Sequence, residues 1–250
     1  MIFRWTIWGE HKEKSIELLK YSIRSFRSHF GKHHKYVVAT DDMELLKDDI
    51  GEIAELIDFK EYGESIYNIE SKATWKKWCP LVRLNIKETE IYIDSDVFLL
   101  QYPKEIEEII ADPKIKFAIM DEYKGQPWQH GAMQKKATVD TPFVNAGFFI
   151  QKAGFDISSE LERELSWWKE NISKENQTHH DEQGALAIAL MPYLCKAELV
   201  ILPKDKYMLI GPNENKDINN LDEVVLFHAV YPDHPAFYKF KNYLDNLPKG

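Results

Sequence analysis

The chain has 250 residues, 44% of them hydrophobic and including 13 Phe, 12 Tyr and 7 Trp, which is core enough for one large α/β domain over 1–250. Its formal charge of -9 disfavours nucleic acid and anionic membrane surfaces as general partners, so any phosphate it binds needs locally focused positive charge. Its two cysteines, Cys79 and Cys195, lie far apart without metal-ligand spacing, which argues against a disulfide framework or a zinc site and fits a reducing cytoplasm.

Met1 to Trp8 has no basic lead, no long apolar stretch and no small-residue cleavage site, so a signal peptide is not expected. Phe3 to Trp8 reads as a strand, Lys14 to His29 as an amphipathic helix, and Lys35 to Thr40 as a second strand ending in Asp41-Asp42. This is βαβ grammar. Met43 to Ile50 predicts another helix, Ile53 to Phe59 a short strand, and Ser71 to Ile86 a longer helix bent near Pro80. The first hundred residues read as a nucleotide-binding half.

Glu90-Ile-Tyr-Ile-Asp94-Ser95-Asp96-Val-Phe-Leu-Leu100 carries the most chemistry. An apolar strand runs straight into two carboxylates one residue apart, and strand alternation puts Asp94 and Asp96 on the same side with Ser95 pointing away. Two like charges that close call for a cation. Carboxylate oxygens suit Mn2+ or Mg2+, ions that complete their shells with water and a substrate's phosphates. An acid-x-acid triplet is also an ordinary solvated turn, but this one closes a buried strand, where open α/β sheets bind ligands.

Lys116 to Met120 predicts a strand, and the polar, aperiodic stretch Lys124 to Thr141 an active-site loop. Pro142 to Ile150 reads as a strand interrupted by small residues, and Ser158 to Asn171 as a helix whose Trp167 and Trp168 serve packing. Asp181 to Met191 predicts a buried helix, Leu199 to Leu202 a strand, and Val224 to Val230 a last strand ending at His228. The longest apolar segment, Ala185 to Cys195, is interrupted by Pro192 and falls short of the roughly 20 residues a bilayer needs. A soluble protein, at most peripheral at a membrane, is expected.

Four separated motifs, Asp94-Ser95-Asp96, Asn145-Ala146-Gly147, Asp181-Glu182-Gln183 and Phe227-His228, stand in an order that resembles the GT-A type glycosyltransferases, in particular the family 8 or glycogenin-like sugar transferases. The resemblance spans most of the chain. It implies an α/β fold of the nucleotide-diphospho-sugar transferase type, Rossmann-like, with a mixed, mostly parallel central sheet and helices on both faces. Residues 101–250 would then form the sugar and acceptor half. It further implies that Asp94, Asp96 and His228 hold Mn2+ or Mg2+, which clamps the diphosphate of a nucleotide sugar, UDP-sugar above all, for transfer to a carbohydrate or other glycan acceptor.

By the same resemblance Asn145, Ala146 and Gly147 contact the donor sugar, a strand bulge being the plainer reading. Asp181 would contact sugar hydroxyls, and Glu182 would lie near the reacting carbon, as a stabiliser of positive charge or as a base for the acceptor. Either acid also suits the first turn of a helix. Thr6, Ile7 and Trp8, with Asp41 or Asp42, would contact base and ribose, although the two acids equally fit a turn or a helix cap. Lys76, Lys77 and Arg83 are candidate phosphate partners or ordinary helix-surface charges, and Ser95 belongs to the metal turn. One departure stands out. Where the glycogenin-like pattern carries glycine and then Lys-Pro-Trp, this chain reads His228-Ala-Val-Tyr231-Pro-Asp-His234-Pro235, so His234 takes the place of the phosphate lysine.

Competing readings are a non-catalytic nucleotide-sugar-binding protein of the same fold and a haloacid-dehalogenase-like phosphatase with Asp94 as nucleophile and Asp96 as acid. The phosphatase pattern continues with Thr or Val two residues after the second Asp and lies on a first core strand, whereas Phe98 follows here and several elements come before it. A nucleotidyltransferase would want a glycine-rich, basic phosphate loop, which Phe3 to Lys14 lacks.

Overall fold

A computed structural model describes residues 1–9, 12–58, 60, 66, 69–78, 81, 83–122, 125–211, 221–231 and 233–247, the side chains of 12–14 excepted. Cys79, Pro80, Lys124 and the segment from Pro212 to Asn220 lie outside the described residues. The chain runs β1 (Ile2–Ile7), α1 (Lys12–Phe30), β2 (Lys35–Thr40), α2 (Met43–Ile50), β3 (Glu55–Asp58), a 3₁₀ turn (Trp75–Trp78), β4 (Glu90–Ile93), β5 (Val97–Leu99) and α3 (Lys104–Ala111). It continues through β6 (Phe117–Asp121), a 3₁₀ segment (Pro127–Lys135), β7 (Val144–Gln151), α4 (Ser158–Asn171), α5 (Asp181–Cys195), β8 (Leu199–Leu202), β9 (Tyr207–Ile210), β10 (Leu226–Ala229) and α6 (Pro235–Asp245).

Seven strands form one sheet in the order β3-β2-β1-β4-β7-β6-β8, and β7 alone runs against the rest. The expected mixed, mostly parallel sheet is therefore present. Alternation on β1 sends Phe3, Trp5 and Ile7 into the layer built on α1, α2 and α3, while Tyr92 and Phe149 face the layer of α4 and α5. A second sheet, β5-β10-β9, packs through Phe98, Phe227 and Ile210 against Phe237 and Phe240 of α6. The carboxyl ends of β1, β2, β4 and β6 and the amino end of β7 share one edge, which is where this topology gathers loops.

Two expectations need correction. Ser71 to Ile86 is not one helix: among its described residues only Trp75–Trp78 turns, as 3₁₀, and residues 83–86 are irregular. The helical spacing of its aromatics is instead used to bury Trp75 and Trp78 from a connecting segment. Strand alternation does not extend over Asp94 to Asp96 either, because β4 ends at Ile93, the acids stand in a turn, and the chain enters the small sheet at Val97. Sequence reasoning also passed over α3, β9 and α6, which are short or begin at a proline.

Candidate active site

The turn Asp94-Ser95-Asp96 joins the two sheets and is pinned from both. Asp94 N donates to Gly147 O at 2.8 Å, and Ala229 N donates to Asp96 O at 2.9 Å. His228 on β10 lies opposite Val97 on β5, so its ring faces the turn. One ligand atom each from Asp94, Asp96 and His228 falls within 4.8 Å of the other two. The convergence expected from strand alternation is thus reached through a turn. Two carboxylates and one imidazole at that spacing form an open donor set that fits Mn2+ and, with more water, Mg2+.

Positive groups surround these acids. Lys77 Nζ lies 3.0 Å from Asp94 Oδ1 and 3.6 Å from Glu182 Oε1. Burial alone would lower the lysine, but the Asp94 and Glu182 charges prevail and push it up to about 12, so it is cationic. His228 Nε2 and His234 Nδ1 each approach an Asp96 oxygen at 3.1 Å. Burial would raise the Asp96 carboxyl, yet the His228 charge and hydrogen bond, with help from His234, hold it below the usual carboxylate range. Burial likewise works against both imidazoles, and Asp96 overrides it and raises them.

Thr6, Trp8, Thr74, Lys77, Asp94, Ser95 and Asp96 line a cleft of about 170 Å³ beside this cluster. Ile7 turns the other way into the core, so of Thr6, Ile7 and Trp8 only Thr6 and Trp8 face the cleft. Asp41 Oδ2 accepts from Gly9 N at 3.1 Å and ties the end of β2 to the loop after β1. Asp42 caps α2 through Leu45 N. Arg83 is buried on the carbonyls of Lys152, Phe155 and Glu88, away from any phosphate role.

The acids opening α5 part company. Asp181 is fully buried and accepts from Ala132 N (2.7 Å), Trp168 Nε1 (2.7 Å), Thr178 N (3.1 Å) and Thr178 Oγ1 (2.6 Å). Four donors fill the acceptor positions of a carboxylate, so none is left for a sugar hydroxyl. Trp168 is therefore packing with a polar handle. Glu182 is buried behind Thr74 and Lys77, which line the cleft, and accepts from Thr74 Oγ1 at 2.8 Å and Trp78 Nε1 at 3.0 Å. Burial raises its carboxyl against the pull of Lys77.

The Asn145-Ala146-Gly147 segment is a bulge. β6 pairs Met120 with Asn145 and then Ile119 with Phe149, which leaves residues 146–148 without partners on that side. Gly147 has no room for a side chain, since a Cβ would lie 2.5 Å from the His228 ring. Sequence reasoning missed Thr74 and Trp78, which hold Glu182, and Glu122, which accepts from Gln129, Asn145 and Gln183. Glu122 follows the apolar strand β6 as Asp94 follows β4, a signal that was available.

No protein-family model and no curated protein matches the sequence. Solved structures do match in shape. Galactosyltransferase LgtC, in complex with donor and acceptor sugar analogs, is 12% identical with a TM-score of 0.59, over 99% of this chain and 96% of that one. An active-site mutant of LgtC gives 12% identity and a TM-score of 0.57 over 100% and 98% of the two chains. Mouse xyloside xylosyltransferase 1 gives 13% and 0.54 over 91% and 96%. The chain has the GT-A fold. Among the described residues, no helix is long and apolar enough to cross a membrane.

Proposed function

We propose that this protein transfers a sugar from a nucleotide-sugar donor, UDP-sugar first, to a carbohydrate or other glycan acceptor. The observation that carries this reading is the convergence of Asp94, Asp96 and His228 from two sheets at the ligand-binding edge of a GT-A fold. These three residues would hold Mn2+ or Mg2+, which when bound supplies positive charge to the diphosphate leaving group.

The chain's own residues do the rest. Thr6 and Trp8 line the side of the cleft assigned to the nucleoside, and Asp41 shapes the loop above it. Lys77, half-buried and charged, places a cation where the diphosphate enters, so that donor binding exchanges one of its acidic partners for phosphate oxygens. Glu182 carries negative charge next to the same lysine. Its oxygens already hold a hydroxyl and an indole N–H, which suits a fixed charge that stabilises the positive sugar better than a proton acceptor. Asp181 anchors the helix start that aims Glu182.

A thermal-shift screen of nucleotide sugars with and without Mn2+, followed by acceptor-free hydrolysis of the hits, tests the reading. Manganese-dependent stabilisation by a UDP-sugar with slow release of free sugar is expected. Stabilisation without any release would favour the non-catalytic binder, and no response to any nucleotide sugar would reject the reading.

A further inference from the structure

Resting on the metal-site reading above, we infer that Asn145, oriented by Glu122, is a positioning residue that fixes the His228 imidazole with its proton on Nδ1, so that Nε2 is the nitrogen turned to the cation. The Asn145 side chain is buried at the β7 bulge. Its Oδ1 accepts from Gly147 N at 2.9 Å, and its Nδ2 donates to Glu122 Oε2 at 3.0 Å. A backbone N–H only donates and a carboxylate oxygen accepts, so these two partners decide which end of the amide is oxygen. His228 Nδ1 lies 3.0 Å from that same Oδ1. Facing an oxygen acceptor, Nδ1 donates to it; Nε2, 3.1 Å from an Asp96 oxygen, donates to that carboxylate in the metal-free protein and gives up its proton when a cation takes that position, which leaves the ring proton on Nδ1.

Glu122 is itself held rigid. Gln129 Nε2 donates to its Oε1 at 2.6 Å and Gln183 Nε2 to its Oε2 at 3.3 Å, which ties the arrangement to the start of α5. Gly147 completes the seat: its missing side chain is the space in which the imidazole lies. The whole is a carboxylate, an amide and an imidazole in series, and an outer partner of that kind sets a ligand's tautomer and basicity. It also changes what the asparagine is for. With Oδ1 engaged twice, one Nδ2 hydrogen at most remains for a sugar hydroxyl.

Long-range ¹H–¹⁵N correlation spectra of the full chain, saturated with diamagnetic Mg2+, read the tautomers of its 9 histidines, and His228→Gln identifies the signal of interest by its loss. The Nδ1–H form, with Nε2 unprotonated, is expected at His228, and Glu122→Gln, which loosens the hold on the Asn145 amide, lowers the share of the protein in that form. Titration with Mn2+ alone, followed by the resonance of the free ion, then measures the consequence. Asn145→Ala and Glu122→Gln each weaken binding about 10- to 100-fold. The exchange E122Q/N145D, which restores an oxygen facing Nδ1, recovers most of it. Nε2–H at His228 in the Mg2+-loaded, unaltered protein, or undiminished Mn2+ affinity in folded Asn145→Ala, overturns the inference. Failure of the unaltered protein to bind Mn2+ would strike the metal reading, and this inference with it.

Discussion

At the amino end of β4, Glu90 is enclosed by Arg4 at 3.0 Å and Arg83 at 3.9 Å, with Leu84 N donating at 2.9 Å and the Arg4 guanidinium lying over the Tyr92 ring. At the carboxyl end, roughly 13 Å along the strand, Asp94 meets Lys77 and Asp96 meets two imidazoles. The first cluster is buried charge sealed by side chains, whereas in the second Asp96 and His228 are buried, Asp94, Lys77 and His234 are half-buried, and the group opens on a cleft. Burying charge is costly at either end. The sealed cluster recovers that cost in connections within the fold. The open one holds acids whose present partners a cation and a diphosphate can displace.

Substitutions at the two ends should separate these roles. Asp96→Ala gives the largest effect on binding: Mn2+ affinity falls by more than about 100-fold, beyond the loss of an outer partner, while the far-ultraviolet spectrum and cooperative unfolding persist. Retained affinity in that variant would remove Asp96 from the metal site. Glu90→Ala does the reverse. Stability in urea falls by about 3–5 kcal/mol because two buried guanidiniums lose their shared acid, and the folded fraction keeps its Mn2+ affinity. Weakened metal binding at unchanged stability would erase the distinction between the two ends.

Glu182→Gln sharpens the contrast within the open cluster. Turnover should drop by about 100-fold or more as the fixed charge is removed, with donor affinity within a few-fold of the original; equal losses in both would make Glu182 a binding residue. A gentler effect follows from pH. Asp96 raises the His228 imidazole in spite of burial, and a protonated ring cannot ligate, so Mn2+ affinity rises with pH through the raised His228 value and levels off above it. One displaced proton makes the slope about tenfold per pH unit. Calorimetry across pH that shows a flat profile would take His228 out of the ligand set.

Much of the fold was legible because its strands announce themselves: β1, β2, β4 and β7 are apolar, short and bounded by acids, glycine or proline. The acids after β4 could be named from sequence for the same reason, as polar residues that end an apolar run, whereas the histidine of β10 was named through the family resemblance. What stayed hidden depends on contacts between distant segments. Asp181 and Glu182 are adjacent in the chain and look alike there, but a turn of 100° sends one to Trp168 and the other to Trp78. The segment around Trp75 has helical spacing that its tertiary setting overrides, and Asn145 shows its partners only once β10 is brought beside the bulge.

The turn from Asp94 to Asp96 crosses from the seven-stranded sheet to the three-stranded one, and His228 and His234 belong to the side of the second. A cation seated there would rivet two layers that otherwise meet mainly through apolar side chains. Chelation should then do more than silence chemistry: the carboxyl-terminal module of β9, β10 and α6 should exchange its amide hydrogens faster, as a hinged flap does when its pin is drawn.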